Sequence, residues 1–559
     1  MDAPQIQDQE AKPSRLRVYT FLFHVAWIVI LGFAAWRRFS LPAPPLADRD
    51  IWGYLSPALA KLVGDPFTQS EGRAFVYPGF IYLLLRAFHS LNSVTVAQHI
   101  LGLGSGLLFL VNWRTARRLF PCSPIPAFAH DILGLVLLAI FLLCGQSTFS
   151  EHHLRPEGIA PFFAILGFGF IIRFLLAKYV DAQPIRALWF GGASIAVAFF
   201  LPLLKPSYSF TSILTTLPVW WHLFDRREKF LRRFAMALIP TFAAWLLLWM
   251  PNARYAENDA RRLTFLPASL FTIHAPQIRT QLAHDLAANA PAVPYSHEQL
   301  QSILTLLDNE IELSRPTVRH GFAPLGFNPD YLLYENSFCR KLAEILRTRP
   351  ERAAFYQFYF RRTWLQQPGA MLHKAGAQLA LFYNLDCPVY EHGSGTMART
   401  YADIAAFLSE PNRFPLVARV PAAAQYVAAM QAFDGAKSDT HRHNKFLSKV
   451  VMPFLAHSYF PEMLLALLTI GWILADAELR ATCGMFAVVV ALGYAYNLGN
   501  NIAIALFHTL GVGRYSHVQL VTTLFTQGLA LWMLVEVVVH KLARVRLPVE
   551  LPGQRPATS

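Results

Sequence analysis

Apolar residues in this 559-residue chain gather in runs of about 17 to 25, separated by short polar segments. A run of that length, folded as a helix, crosses the roughly 30 Å hydrocarbon core of a bilayer. The pattern therefore predicts an all-α polytopic membrane protein with about ten transmembrane helices. The predicted spans are residues 18–36, 94–113, 128–145, 159–177, 188–204, 208–224, 234–250, 452–475, 481–496 and 518–539.

One further apolar stretch, residues 75–91, is interrupted by Pro78, Gly79 and Arg86. We expect it to lie along the outer surface as an interfacial helix, because a crossing there would place Arg114 and its basic neighbours outside. Cytoplasmic loops are enriched in Lys and Arg. With this choice, the inferred cytoplasmic segments hold about 18 Lys and Arg, densest in residues 225–233. Both termini are then predicted to be cytoplasmic.

Composition supports a membrane location. The chain is 54% hydrophobic and 15% charged, against about 25% charged in an average soluble domain, and its mean hydropathy is +0.33. These values exclude an ordinary cytosolic enzyme. The net charge of +14 is compatible with nucleic-acid binding, but the basic residues lie mostly beside apolar runs, where they orient helices. Nucleic acid is therefore the weaker interpretation.

The polar stretches divide the chain into three predicted domains. Residues 1–250 form an N-terminal transmembrane module of about seven spans, with a first outer loop at 37–93. Residues 251–451 form a mostly helical extracytoplasmic domain, and residues 452–559 a C-terminal transmembrane module with a cytoplasmic tail. In the middle domain, Pro350 begins an amphipathic helix, for which an interfacial position and a packed soluble position are both open. Cys339 and Cys387 could form a disulfide there or remain free thiols.

Ionisable residues at the outer ends of spans are costly and are therefore candidates for function. They fall in four segments of the chain. Counting the predicted membrane crossings places all four segments on the same side of the membrane. These are Asp48, Asp50, Tyr54, Gly64-Asp65 and Arg73 in the first outer loop, Glu151, His152, Arg155 and Glu157 in the second, Lys205-Pro206 after the fifth span, and His508, Arg514 and Tyr515 before the last span. Acidic and basic groups at one membrane surface favour chemistry on an anionic lipid.

This arrangement resembles the GT-C class of integral membrane glycosyltransferases, and is most similar to lipid A aminoarabinose transferases and protein O-mannosyltransferases. The similarity rests on Asp50 with Tyr54, on Gly64-Asp65, on the juxtamembrane segment 77–85, on Lys205-Pro206 and on Arg514-Tyr515. It implies a plasma-membrane enzyme, in bacteria the inner membrane, that uses a polyprenyl-phosphate sugar as donor on the periplasmic, cell-envelope side. The acceptor would be a glycan, a lipid or a protein.

The resemblance also implies roles for individual residues. Asp50, or as second choice Asp48, would act as general base on the acceptor hydroxyl, and the anomeric centre would invert in a single displacement. Arg514, Lys205, Arg155 and Arg73 would bind the donor phosphate, since fixed cations stabilise its growing charge. The remaining residues expected at the site are Tyr54, Glu151, His152, Glu157 and Tyr515.

Two departures limit the comparison: the Lys-Pro-Pro of the aminoarabinose transferases is absent, and the large polar segment precedes the last three spans, whereas many relatives carry their soluble domain after the final span. Val76-Tyr77-Pro78-Gly79 stands where the aminoarabinose transferases have Lys-Pro-Pro, so a phosphate contact from this loop would come from Arg73 or Arg49. The adjacent pair His152-His153 and the stretch 439–443 lack the spacing of a metal site. We therefore assign no metal ligand and no cofactor, and leave a divalent metal open because GT-C enzymes differ in this respect.

Three alternatives remain at this stage. A transporter or flippase of lipid-linked glycans would place polar groups at the bilayer midplane and often shows two similar halves. An assembly factor of the cell envelope would use the outer domain as a binding module. An O-antigen-ligase-like enzyme would keep the topology and rely on Arg and His for catalysis. The gathering of charge at one surface, and the lack of a sequence repeat, favour the glycosyltransferase.

Overall fold

A computed structural model describes residues 13–67, 73–120, 123–225, 229–256, 262–318, 325–334, 336–390, 397–410, 412–433, 446–508 and 513–545. Within these residues the chain is helical, and its only bridge between extended residues joins Leu46 to His153. The predicted all-α class is therefore confirmed. The stretch 439–443, considered above as a metal site, lies outside the described residues.

Eight helices are long and apolar enough to cross a membrane. They are Val18–Phe39, Asn92–Arg117, Ala160–Val180, Pro184–Leu204, Phe230–Tyr255, Leu447–Ala475, Ala477–Phe507 and Leu520–Leu542. A ninth candidate is the pair Ala127–Leu143 and Gly145–His152, which is bent by 46°. The described residues thus contain eight or nine candidate spans, slightly fewer than the ten expected from hydropathy.

The difference comes from residues 208–224. They fold as a 13-residue helix, Ser209–Trp221, with a short 3-10 turn at each end. An α-helix rises about 1.5 Å per residue, so this helix covers only about 20 Å. It packs against Pro184–Leu204 and Ala477–Phe507. With its flanking turns the segment runs back along Pro184–Leu204 from Lys205 to Asp225, which pairs with Lys178 at 3.2 Å, so it connects the two ends of the bundle although its α-helical part is shorter than a candidate span.

Residues 75–91 contain the helix Val76–Phe88, which is apolar but too short to be a candidate span. The short helix Trp52–Leu62 packs against it. Leu83 and Phe88 are each 64% exposed, while Tyr77 and Ile81 are buried. One face thus packs on the protein and the other is free to contact lipid, in agreement with the expectation that this stretch does not cross.

The helices between the candidate spans lie mostly in the segment 251–451. After the span Phe230–Tyr255 they are Arg262–Ile273, Ala275–Ala287, His297–Ser314, Pro329–Tyr334, Phe338–Ile345, Arg349–Gln366, Pro368–Phe382, Met397–Leu408, Pro415–Arg419 and Pro421–Gln431. The boundaries drawn from the sequence at 250 and 451 remain predictions, but the packing divides this segment into three parts.

Each part joins a different core. Residues 268–359 enclose a core of their own. Residues 375–390 pack into the core of the membrane helices. Residues 401–430 pack on the first loop, in a core shared with Leu46, Ile51 and Leu55. The middle of the chain therefore holds the first loop from one side and contacts the membrane bundle from another.

Helix Arg349–Gln366 begins with a capping box in which Thr348 and Glu351 exchange side-chain hydrogen bonds with backbone amides. The predicted helix at Pro350 is thus confirmed. Phe355, Tyr356 and Tyr359 are buried in the core of residues 268–359, which favours the packed position over an interfacial one. Cys339 lies beside this core and Cys387 in the membrane core, and both are free thiols, so the structure contains no bridge between them.

Candidate functional site

The first and second loops meet at one end of the helix bundle, which we call the site end. Leu46 N donates to His152 O at 2.8 Å, and Leu154 N donates to Leu46 O at 2.8 Å. Asp48 then caps a 3-10 turn, with its side chain accepting from Asp50 N at 3.0 Å. This geometry presents the carboxylates of Asp48 and Asp50 together, beside Arg155.

Asp50 lies between two arginines from distant parts of the chain. Its Oδ2 is 2.8 Å from Arg514 Nη1 and 3.7 Å from Arg155 Nη2. Asp48 is paired with the same two arginines: its Oδ2 contacts Arg155 and lies 3.8 Å from Arg514 Nη1. The carboxylates are 41% and 34% exposed for Asp48 and Asp50 respectively. The four groups therefore form an ion-pair cluster that is open to a ligand.

Lys205 and Glu157 extend this cluster. Helix Pro184–Leu204 ends at Lys205, whose extended backbone precedes Pro206, and proline cannot continue a helix. Lys205 Nζ is 3.1 Å from Glu157 Oε1 and 3.5 Å from Arg514 O. Burial alone would raise the pKa of Glu157, but Lys205 and Arg155 lower it to about 2. Burial lowers the pKa of Lys205 to about 8, although Glu157 raises it.

Tyr515 joins the two halves of the cluster. Lys205 Nζ lies 4.6 Å from the centre of its ring and Arg514 Cζ lies 5.1 Å from it. A cation near an aromatic face is attracted by the electron-rich ring. The Tyr515 hydroxyl is also 3.0 Å from His508 Nε2. Tyr515 thus orients both cations and is itself held by the end of helix Ala477–Phe507.

Arg73 and Tyr54 form the side of the cluster nearest the juxtamembrane helix. Arg73 Cζ lies 4.8 Å from the centre of the Tyr54 ring. Burial raises the pKa of Tyr54 to about 12, against the charge of Arg73. The Tyr54 ring meets that of Tyr77 edge to face, with centres 5.4 Å apart. Tyr54 is therefore a neutral aromatic platform for Arg73.

The cluster has an excess of one positive charge when its carboxylates are ionised, because four cations, Arg73, Arg155, Lys205 and Arg514, face three carboxylates. Among the described residues, the buried Nε atoms of Arg73, Arg155 and Arg514 have no hydrogen-bond partner. Burial, followed by the charge of Arg514, lowers the pKa of Arg155 to about 9. Unused donors and surplus positive charge are what an anionic ligand requires.

Glu151 and His152 were also expected at the site, but their contacts lie elsewhere. Glu151 is buried, and accepts from Arg38 Nε at 2.7 Å and Nη2 at 2.8 Å, with His99 Nδ1 at 3.0 Å. His152 Nε2 is 3.1 Å from both Pro44 O and the Tyr401 hydroxyl. Both residues thus hold the second loop in place behind the ion-pair cluster.

Tyr334, in the outer segment, was not expected at the site. Desolvation and the negative charge of Asp50 raise its pKa, while Arg73 lowers it, although the Tyr334 side chain is 61% exposed. No pattern in the sequence around Tyr334 distinguishes it from other aromatic residues of the segment. In the part of the chain that the structure describes, no group of three or more His, Cys, Asp or Glu side chains is placed to hold a metal ion.

Comparison with known proteins gives one distant likeness. No protein-family model matches the sequence, and no curated protein matches it. Among solved structures, the chain is similar to ArnT from Cupriavidus metallidurans, solved bound to undecaprenyl phosphate: identity is 13%, with 90% of this chain and 78% of that chain covered and a TM-score of 0.27. Because a TM-score this low does not establish a shared fold, the functional assignment rests on this chain's own residues.

Proposed function

We propose that the protein is a membrane glycosyltransferase of the GT-C type. It moves a sugar from a polyprenyl-phosphate donor to an acceptor hydroxyl, with Asp50 as general base and inversion at the anomeric carbon. The observation that carries this proposal is the cluster at the site end, where Asp48 and Asp50 meet Arg155 and Arg514 from two other segments of the chain, and Lys205 from a third lies against the Arg514 carbonyl. All these segments flank candidate membrane spans.

The basic side chains of the cluster are suited to binding the phosphate of a lipid donor. Arg514 and Arg155 are already paired to carboxylates by one guanidinium nitrogen each, and their Nε atoms are buried without a hydrogen-bond partner among the described residues. Guanidinium groups match the geometry of phosphate oxygens. Lys205 adds a point charge within reach of Arg514 O. A phosphate in this cluster would stay at the membrane surface, with its prenyl chain among the helices.

The carboxylate of Asp50 suits the role of general base. Both ion pairs of Asp50 use Oδ2, and Oδ1 takes part in neither. In the proposed step, an acceptor oxygen forms a bond to the anomeric carbon while the bond from that carbon to the phosphate oxygen breaks. Asp50 Oδ1 accepts the hydroxyl proton, and the polyprenyl phosphate leaves with the bonding electron pair. Arg514 and Lys205 then stabilise the charge that develops on the leaving phosphate.

The position of the cluster supports the proposed location in the membrane. It lies at one end of the bundle, while Arg114 and Arg118 lie at the far end of helix Asn92–Arg117. A bias of basic residues towards the cytoplasm would place the cluster on the outer face. We propose a bacterial inner-membrane protein with cytoplasmic termini, whose segment 251–451 is extracytoplasmic.

Mass spectrometry of envelope lipids, glycans and proteins from a deletion strain tests the function. One sugar should disappear from one acceptor, return with the wild-type gene, and stay absent with Asp50→Asn at equal expression. Restoration of the sugar by Asp50→Asn and Asp48→Asn alike would overturn the assignment of the base. Accumulation of a complete lipid-linked glycan on the inner leaflet would instead identify a transporter.

A further inference from the structure

A lysine outside the ion-pair cluster holds the end of the helix that leads into it. Helix Pro368–Phe382 packs against helix Ala477–Phe507. Its Lys374 is 5% exposed, and Nζ donates to Ala505 O at 2.9 Å and to His508 O at 3.4 Å. Lys374 comes from the segment between the two membrane modules, and within the described part of the chain its ammonium hydrogen bonds go to the end of a candidate span.

The carbonyls that Lys374 binds are those a helix end leaves without partners. The last carbonyls of an α-helix have no acceptor role within the helix, and many helices satisfy them with a left-handed residue after the last turn. Here the capping residue, His508, has extended backbone angles of φ −152 and ψ −147. The ammonium group of Lys374 takes over that task from another helix, and its charge is favoured at the negative end of the helix dipole.

Placing a lysine at this buried position is costly. Burial lowers the pKa of Lys374 to about 7, and no carboxylate among the described residues contributes to the shift. Two histidines lie near Lys374. His508 contacts it through its backbone carbonyl. His274 has a pKa of about 3, lowered by burial and by the charge of Lys374. A solvent-exposed lysine or a methionine would avoid this cost, which indicates that the contact with the helix end serves a purpose.

That helix end is connected to the ion-pair cluster. His508 Nε2 lies 3.0 Å from the Tyr515 hydroxyl, and the Tyr515 ring lies against Lys205 and Arg514. A chain of contacts thus runs from Lys374 through His508 and Tyr515 to Arg514. Moving the carbonyl of His508 would move the imidazole that holds Tyr515.

We propose that Lys374 is a positioning residue for the donor-phosphate site: by holding the end of helix Ala477–Phe507, it sets the position of Tyr515 and Arg514. This inference rests on the proposed function for its kinetic consequence, but its structural part does not. Lys374 itself touches none of the three carboxylates of the cluster, since its hydrogen bonds go to Ala505 O and His508 O. It couples the segment 251–451 to the site without contributing a group to the chemistry.

The test compares Lys374→Met, Lys374→Arg and the control Lys341→Met in purified full-length protein in lipid nanodiscs. Lys341 is paired with Glu310 in the separate core region of residues 268–359. In Lys374→Met we expect hydrogen exchange in peptides covering 500–517 to accelerate, and the KM for a polyprenyl-phosphate sugar to rise about tenfold with little change in kcat, as for loss of one charge-assisted hydrogen bond. Lys374→Arg should restore both values, and Lys341→Met should leave them unchanged.

The two measurements separate the two proposals. If exchange at 500–517 is faster in Lys374→Met than in wild type, while the wild-type protein transfers no sugar, the proposed function is removed and the positioning role stays intact. Unchanged exchange and unchanged KM in Lys374→Met would overturn the positioning role. An equal fall in kcat for the methionine and arginine variants, with general loss of protection across the chain, would also overturn it, because it would show a role in folding alone.

Discussion

Arg514 Nη1 lies 2.8 Å from Asp50 Oδ2, joining residues 464 positions apart in the sequence. The pair links the first loop to the segment before the last candidate span. The same contact pairs the cation that we propose binds phosphate, Arg514, with the carboxylate that we propose acts as base, Asp50. Donor phosphate would share Arg514 with Asp50, so that donor binding and the state of the base are coupled.

Replacing Asp50 by asparagine should abolish sugar transfer. The amide keeps the size of the carboxylate but cannot accept the acceptor's proton, and general-base catalysis contributes about 10²- to 10⁴-fold. A transfer assay with membranes and a polyprenyl-phosphate sugar measures the loss. Asp308→Asn is the matched control, since Asp308 is a similarly exposed carboxylate paired with an arginine, Arg279, at 2.6 Å outside the cluster. Full activity of Asp50→Asn would remove Asp50 from the reaction.

Replacing Arg514 by alanine should weaken donor binding. Loss of a charge-assisted hydrogen bond corresponds to about ten- to a hundredfold in affinity. Native mass spectrometry or titration with a polyprenyl phosphate measures the dissociation constant directly. Arg413→Ala serves as control, because Arg413 is an exposed arginine paired with Glu410. Equal affinity in wild type and Arg514→Ala would contradict a phosphate role for Arg514.

The pH dependence of donor binding should follow Lys205. Burial lowers its pKa to about 8, so the ammonium form is present below that pH and is lost as pH rises through it. We expect the KM for the donor to rise between pH 7 and 8.5. In Lys205→Arg the charge persists, and the rise should disappear, which also separates Lys205 from Lys374. An identical pH profile in the two proteins would exclude Lys205 as the titrating group.

The sequence was sufficient to predict most of the fold, because length and apolarity alone identify a membrane span. The sequence was less informative about where helices end and bend, because packing between helices decides both. Residues 208–224 are as apolar as a span, yet fold as Ser209–Trp221 between two longer helices. The stretch at 128–145 continues into a bent pair ending at His152. Hydropathy does not record a bend or the turns that flank a shortened α-helix, since both leave the composition unchanged.

For the site, parity of the spans predicted that Asp50, Arg155, Lys205 and Arg514 share one end of the bundle, and the structure brings them into contact. The individual pairs could not be predicted, because they depend on how loops pack. Glu151 shows this well: by sequence it is equivalent to Glu157, but it faces Arg38 inside the bundle. Lys374 was missed because a single lysine in an amphipathic helix normally faces solvent.

Glu151 leads to a prediction about stability. Its carboxylate is buried against Arg38, which is 0% exposed in its side chain, and His99. Glu151→Gln would leave the guanidinium of Arg38 buried without a counter-ion, and breaking a buried pair in this way costs about 3 to 5 kcal/mol. We therefore expect a clear fall in thermal unfolding temperature in detergent. Exchanging the exposed Glu312, paired with Arg315 on one helix, for glutamine should change it little. Since Glu151 faces Arg38 and His99 and not the ion-pair cluster, any Glu151→Gln protein that remains folded should keep its affinity for polyprenyl phosphate within about threefold of wild type, a much smaller change than the loss expected for Arg514→Ala. A large loss of affinity at unchanged unfolding temperature would instead place Glu151 in the binding site.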